Sequence, residues 1–314
     1  MKLRDVGEFG LIDRIERAVR RAGRARGVVL GIGDDAALLR LRAGDDLAVS
    51  TDALVEDVHF RFASETPRAI GRRALAAALS DLAAMGARPL GVVAALAAPP
   101  TLPLAHAEGI VHGLLDGARR WDAPLVGGNV ARAKQTSLTL TVLGAVRRGR
   151  ALTRAGARPG DRIFVTGTLG GVPLAVARAA RGARVRVAPE PRLAAGLALA
   201  RLRGIGGCID VSDGLVADLG HLLRASRVGA EIDPARVPRP AGFAAACARA
   251  GADSERLVLA GGEDYELIFT LRSRLSPAAL QRRLGVRVTE IGAITRVRGL
   301  RGLPAAGQSG WTHF

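Results

Sequence analysis

The sequence predicts an α/β protein, in the looser α+β sense, built as two domains. Its 314 residues are more than one hydrophobic core usually serves. Strand-like and helix-like stretches follow in the order β, β, α, β, α, β, β through the first half, a mixed α/β layer and not a run of regular βαβ crossovers. The arginine- and glycine-rich piece from Arg147 to Asp161 has the composition of a linker. The expected domains are residues 1–149 and 150–314.

Leu11, Ile12, Ile15 and Val19 fall at helical spacing after a glycine turn, which gives an amphipathic helix over residues 7–21. Val28-Val29-Leu30 reads as a buried strand running into Gly31-Ile32-Gly33-Asp34-Asp35-Ala36. As a string that turn satisfies the dinucleotide fingerprint. A pyrophosphate would then sit where Asp34 and Asp35 project, and anions repel unless cations lie between them. Two carboxylates on a glycine turn suit hard, oxygen-seeking metal ions, with a solvated acidic turn as the alternative. Leu47–Thr51 is a second strand, with Asp52 just past its end beside the hydroxyls of Ser50 and Thr51.

Thr66 as cap and Pro67 at the first position start a helix through Met85 that carries Asp81 on a small, apolar surface. A charge there needs a partner or solvent, and taken alone either serves. A strand at 90–97, a helix at 105–121 and a short strand, Pro124-Leu125-Val126, come next. Gly127-Gly128-Asn129 then reads as another glycine turn bearing a polar ligand, before a strand over Ser137–Val146.

In the second half a strand at 162–166 precedes the turn Gly167–Gly171 and a helix, without the Gly-Lys-Ser/Thr of a P-loop. A loop at 181–192 and a helix at 193–203 lead to Ile209-Asp210-Val211-Ser212-Asp213-Gly214-Leu215. Ser212 or Asp213 is expected to cap the helix running on to Arg224. A strand at 228–232, a helix at 241–250 and Gly261-Gly262-Glu263-Asp264 before a strand at 265–271 follow.

Composition narrows the function classes. The net charge of +17 is almost all arginine, the only lysines being Lys2 and Lys134, and it is scattered through alanine- and leucine-rich helices. Aromatics make up 3%, too few for the stacking platform of a single-strand binder, so specific nucleic-acid binding is not expected. No apolar run is long enough to span a membrane, the start lacks a signal-peptide core, and two cysteines form no framework. A cytoplasmic protein is expected.

Taken together, the motifs resemble the thiamine-monophosphate kinase family, of the superfamily that includes aminoimidazole ribonucleotide synthetase and selenophosphate synthetase. The matching strings are Gly7-Glu8-Phe9 with Leu11-Ile12, Gly31-Ile32-Gly33-Asp34-Asp35, Ser50-Thr51-Asp52 with Val58-His59-Phe60, and Leu79-Ser80-Asp81-Leu82-Ala83-Ala84-Met85-Gly86-Ala87. They continue with Gly127-Gly128-Asn129, Leu152-Thr153-Arg154, Asp210-Val211-Ser212-Asp213-Gly214-Leu215, Gly261-Gly262-Glu263-Asp264-Tyr265-Glu266-Leu267 and Trp311-Thr312-His313-Phe314. The resemblance implies the aminoimidazole ribonucleotide synthetase-like fold, with an N-terminal mixed sheet that has helices on one face and pairs in a homodimer. It implies ATP and several Mg²⁺ ions as the requirements.

By the same resemblance Asp35, Ser50, Thr51, Asp52, Asp81, Asn129, Asp210 and Asp213 hold the metal. Thr51, Gly128, Asn129, Arg154 and Ser212 contact ATP, and His59, Glu263 and Trp311 line the thiamine monophosphate pocket. Asn129 stands where many members carry Asp, so its amide oxygen binds a cation without adding charge. Gly170-Gly171-Val172 replaces a frequent Gly-Asp-Ser, and Ala188 an expected arginine.

The implied reaction is direct transfer of the γ-phosphoryl group of ATP to thiamine monophosphate, the last step to thiamine diphosphate. A phosphate monoester has a second pKa near ~6 and is already anionic at neutral pH, so no general base is required. Trp311 is read as stacking on the thiazolium cation, or else as a C-terminal anchor. Another ATP-dependent enzyme of the superfamily acting on a purine-pathway intermediate, and a non-catalytic nucleotide-binding protein, are the alternatives.

Overall fold

The computed structural model describes residues 1–23, 27–30, 32, 36–184 and 189–303, and of residues 8, 9 and 22 the backbone only. Asp34, Asp35, Ala188 and Trp311 lie outside the described residues. The chain divides into two compact units, one of Met1–Leu82 with Arg88–Arg148, the other of Ala83–Ala87 with the chain from Gly149 onward.

In the first unit α1 (Leu3–Ala22) breaks its helical geometry at Gly7, whose φ of 67° suits a residue without a Cβ. β1 (Val28–Leu30) and β2 (Leu38–Leu39) form an antiparallel ribbon apart from the sheet. Val29 and Leu30 are 45% and 37% exposed, which corrects the expected buried strand: a two-stranded ribbon has no sheet face to bury. Next come β3 (Asp45–Val55), α2 (Pro67–Ala84), β4 (Arg88–Ala98), α3 (Leu104–Arg120), β5 (Leu125–Arg132) and β6 (Ser137–Arg147). Thr66 Oγ1 accepts from the Ala69 N–H at 3.3 Å, the cap expected for α2.

The strands lie in the order β3-β6-β4-β5, with β4 and β5 parallel and the other neighbours antiparallel. One face carries the buried Leu138, Leu140 and Val142, and the core on that side includes Ile70, Leu75 and Leu79 of α2 and Ile110 and Leu114 of α3. Each of these side chains contributes about 1.5–3 kcal/mol by leaving water. On the opposite face Leu47 and Val49 stay 50% and 58% exposed. Two expectations are corrected here. Asp52 does not follow a strand but lies within β3, opposite Leu140, and Gly127-Gly128-Asn129 is no turn but part of β5, opposite Val93, Ala94 and Ala95.

The second unit contains β7 (Arg162–Thr166), α4 (Gly171–Ala179), α5 (Leu193–Leu199), β8 (Ile205–Asp210), α6 (Leu215–Ser226) and β9 (Gly229–Ile232). After a 3₁₀ turn at Pro234–Arg236 come α7 (Phe243–Arg249), α8 (Ser254–Ala260), β10 (Leu267–Leu271), α9 (Pro277–Leu284), β11 (Val288–Thr295) and β12 (Gly299–Arg301). α5 ends four residues short of the expected helix, and α8, α9, β11 and β12 were not expected. The sheet runs β12-β9-β11-β7-β10-β8. Ile163, Val165 and Ile268 pack with Leu215, Leu219 and Leu222 of α6, while Phe164 and Phe269 stack at 5.3 Å. Both faces of the central strands are therefore buried, as the apolar run Ile163-Phe164-Val165 requires.

The short segment Ala83–Ala87 is packed into this second unit. A Cβ on Gly196 of α5 would lie 2.0 Å from the Ala83 carbonyl oxygen, and the Leu152 N–H donates to Met85 O at 3.1 Å. Among the described residues no helix is long and apolar enough to cross a membrane.

Candidate active site

In the first unit the pleat of β3 sorts the candidate residues onto two faces. Ser50 and Asp52 share the helix-covered face with Leu54, which is 4% exposed, and the Ser50 hydroxyl donates to Asp81 Oδ2 of α2 at 2.5 Å. Asp52 Oδ1 accepts from the Ala53 N–H at 2.9 Å. Thr51 points the other way, where its hydroxyl meets Leu140 O at 3.3 Å and Thr141 Oγ1 at 3.2 Å. Asn129 belongs to the cross-strand row of Ala53, Thr139 and Ala95, so it shares the open face with Thr51. Gly128 is needed by the sheet itself, because a Cβ there would lie 2.1 Å from Ala94 O. The structure thus joins Ser50 to Asp81, and holds Thr51 and Asn129 on the far side of the sheet from them.

His59 lies in the loop between β3 and α2. Its Nδ1 accepts from the Val55 N–H at 3.1 Å, which leaves the ring proton on Nε2 in the neutral form. The loop is anchored by a buried ion pair between Arg73 and Glu65, whose side chains are 4% and 2% exposed. Arg73 donates to Glu65 Oε1 and Oε2 at 3.0 and 2.9 Å and to His59 O at 2.7 Å, so one guanidinium ties the histidine backbone to α2.

In the second unit Asp210 ends β8, and Ser212 and Asp213 follow it before α6. The expected capping by Ser212 or Asp213 is corrected: Gly214 is the cap residue and has no side chain to offer. Asp218, in the first turn of the helix, reaches back instead. Its Oδ2 accepts from the N–H groups of Ser212, Asp213 and Gly214 at 3.0, 3.0 and 3.1 Å. Burial, with the charge of Asp210 behind it, pushes the Asp218 carboxyl up to about 7 against the pull of those donors.

The stretch Gly261–Glu266 lies alongside. The N–H groups of Glu263 and Tyr265 donate to Ser212 O and Val211 O at 2.8 and 2.9 Å, and Val211 N–H donates to Glu266 O at 2.8 Å. A Cβ on Gly262 would lie 2.2 Å from Ser212 O, so only glycine allows this approach. Glu263 and Tyr265 hold φ of 67° and 51°, a left-handed geometry costly for side-chain-bearing residues and concentrated where a site demands it. The structure therefore brings Glu263 beside Ser212 and Asp213. Asp264 Oδ2 and Oδ1 accept from the N–H groups of Gly170 and Val172 at 2.5 and 3.1 Å, closing the start of α4, and burial pushes this carboxyl up to about 7. Glu266 accepts from Thr166 Oγ1 at 2.6 Å and pairs with Arg192.

Arg154 lies behind the far end of β8, its carbonyl accepting from Ser226 Oγ at 2.9 Å. Burial and the charges of Arg224 and Arg154 push His221 below its usual value, while Asp213 pulls it up. Arg154 and Asp213 therefore act on His221 in opposite directions at the outer face of α6. A cavity of about 690 Å³ opens there, lined among others by Asp213, His221, Arg224, Arg227 and Arg298.

Sequence reasoning missed Asp218, Asp264, Arg73 and Glu65 as the groups that hold these loops. A signal existed for the first, since Asp218 falls one turn into a helix behind two polar turn residues. None existed for the ion pair, which only the fold brings together.

Every candidate donor is an oxygen, the set that hard divalent cations take. Among the described residues no three carboxylate, imidazole or thiol side chains converge, so the donors are supplied in small groups. That is how Mg²⁺ is usually held, through one or two carboxylates together with substrate phosphates.

Residues 33–146 match the family model AIR synthase related protein, N-terminal domain, and residues 158–301 that of the C-terminal domain. The chain is 42% identical over 306 residues to the thiamine-monophosphate kinase of Escherichia coli (strain K12), covering 92% of this chain and 90% of that one. Its fold is similar to the crystal structure of thiamine-monophosphate kinase from Stenotrophomonas maltophilia, with a TM-score of 0.82, 37% identity, and 94% and 96% of the two chains covered. It is also similar to AaThiL complexed with AMPPCP and TMP, with a TM-score of 0.77, 28% identity, and 100% and 99% covered.

Proposed function

The chain belongs to the thiamine-monophosphate kinase family, and on that premise we propose that it phosphorylates thiamine monophosphate with ATP, giving thiamine diphosphate and ADP. The observation that carries this reading is the full-length likeness to a protein that holds an ATP analogue and TMP together. The pairing of the Asp210–Asp213 loop with the Gly261–Glu266 stretch supports it, because Asp213 and Glu263, proposed for metal and for substrate, then lie on neighbouring segments.

The bond that forms joins a phosphate oxygen of thiamine monophosphate to the γ-phosphorus, and the bond that breaks frees ADP. The incoming oxygen is already anionic, so the chain's task is to position and neutralise. Two unit charges at ~4 Å repel by roughly 4 kcal/mol at an effective dielectric of 20. Ser50, Asp52 and Asp81 on the helix-covered face, Thr51 and Asn129 on the opposite face, and Asp210 and Asp213 of the second unit are proposed as separate groups of Mg²⁺ ligands, with Asp35 from outside the described residues. When bound, Mg²⁺ offsets that repulsion and orients the phosphates. Ser212, Thr51, Gly128, Asn129 and Arg154 are proposed to bind ATP. His59, with the proton on Nε2, and Glu263 are proposed to orient thiamine monophosphate, with Trp311 on its thiazolium ring.

The open sheet face, with Leu47 and Val49 half exposed, is proposed as the homodimer surface, since a patch of that kind marks an interface. A cytoplasmic location fits two buried, unpaired cysteines. The test is ADP release with thiamine monophosphate, compared with aminoimidazole ribonucleotide precursors. Mg²⁺-dependent release with the former alone is expected, and release with the precursors alone overturns the reading.

A further inference from the structure

The bond pattern at the start of α6 is the reverse of an ordinary cap. A capping side chain usually precedes its helix and accepts from N–H groups inside it. Here the acceptor is inside, at Asp218, and the donors are the three residues that precede the helix. Three successive backbone N–H groups turned toward one point form a concavity made for an anion. In this chain the anion is a side chain, 2% exposed, and no ligand is needed to fill it.

The consequence falls on the loop and not on the helix. α6 is secured independently by Leu215, Leu219, Leu222 and Leu223, all buried in the core. Asp210 is secured by the pairing of β8 with β10. Ser212 and Asp213 lie between these two anchors, and the carbonyl of Ser212 also takes the Glu263 N–H. While its N–H is held inward by Asp218, Asp213 lines the large cavity.

We propose that Asp218 is a positioning residue for the reaction: it fixes the backbone of Ser212, Asp213 and Gly214 so that Ser212 and Asp213 meet metal-bound ATP in one geometry. This rests on the kinase reading above. A group that orients a metal ligand typically matters by about 10–100-fold in metal affinity or activity when it is lost.

The test uses the full chain in wild-type, Asp218→Ala and Asp218→Asn forms. Amide hydrogen exchange over residues 211–215 is measured without ligand, and AMPPCP binding is titrated by calorimetry at fixed Mg²⁺. Asp218→Ala is expected to speed exchange at Ser212, Asp213 and Gly214 and to weaken AMPPCP–Mg²⁺ binding about 10–100-fold. Asp218→Asn keeps an oxygen that can accept the same N–H groups, so it should restore both. Wild-type exchange and binding in Asp218→Ala overturn the proposal, and so does an Asp218→Asn form as impaired as the alanine variant. If Asp218→Ala does not fold, Asp218→Ser decides: its single, shorter oxygen cannot reach three donors, so weaker binding is again expected and wild-type binding overturns the idea. A wild-type chain that fails to phosphorylate thiamine monophosphate counts against the kinase reading, while the exchange result still judges the clamp.

Discussion

Ser50 on β3 and Asp81 on α2 are joined by a 2.5 Å hydrogen bond that ties the edge of the sheet to the helix covering it. The bond holds one Asp81 oxygen against β3, so the residue proposed to bind Mg²⁺ keeps one orientation. Asp81→Asn is expected to lower kcat/KM by at least about 100-fold, and Ser50→Ala by about 10-fold with a raised Mg²⁺ requirement, the range seen for ligands and their supports. Asp52→Ala should abolish transfer and leave the circular dichroism unchanged. ADP release against Mg²⁺ concentration reads all of these, and wild-type Mg²⁺ dependence in the Asp81 variant removes that residue from the metal site.

Asp264 makes stability depend on pH in a defined direction. Its carboxyl moves from 3.8 to about 7 on folding, so between these values the folded chain binds a proton that the unfolded chain does not. The stabilisation is complete below about 4 and is lost as pH rises to about 7. Asp264→Asn mimics the protonated form and lacks this titration. The Tm of wild type minus that of the variant should fall steadily from pH 4 to 7 and then level off; a rise over the same interval contradicts the assignment.

The Arg73–Glu65 pair anchors the His59 loop from a nearly water-free position. Removing one partner strands the other charge, so Arg73→Ala should cost about 3–5 kcal/mol in urea unfolding. The double replacement Arg73→Met with Glu65→Leu should cost far less. If His59 orients the substrate, the folded double variant should raise KM for thiamine monophosphate while leaving KM for ATP near wild type; unchanged KM for both would separate the anchor from substrate binding.

Direct transfer predicts that γ-labelled ATP alone leaves no label on the protein. Denaturing electrophoresis after brief mixing checks this, and a stable phosphoprotein that passes its label to thiamine monophosphate would replace the direct route with a two-step one.

The sequence made most elements legible because hydrophobic periodicity is local. Leu47–Thr51 was readable as a strand, but β3 runs on to Val55 because β6 supplies a partner for every residue, Asp52 included. Gly127-Gly128-Asn129 carries turn chemistry, yet the ladder with β4 overrides it, and the absence of side chains is what lets Gly128 approach Ala94. α8 and α9 had legible starts: Asp253 caps the first through the N–H groups of Glu255 and Arg256, and Ser276 with Pro277 opens the second. Which carboxylate braces the backbone was not legible. Asp213 and Asp218 look alike in one dimension, and only the fold shows that Asp218 takes the three N–H groups.

The chain leaves the first unit at Leu82, spends Ala83–Ala87 in the second, and comes back at Arg88 before crossing for good at Gly149. The two halves are stitched, not strung. A gene fragment cut at the last crossing would carry away a helix end whose seat, at Gly196, is encoded on the other piece. Exchange of halves between relatives would therefore have to preserve that seat, which makes the protein a poor source of interchangeable modules despite its two family domains.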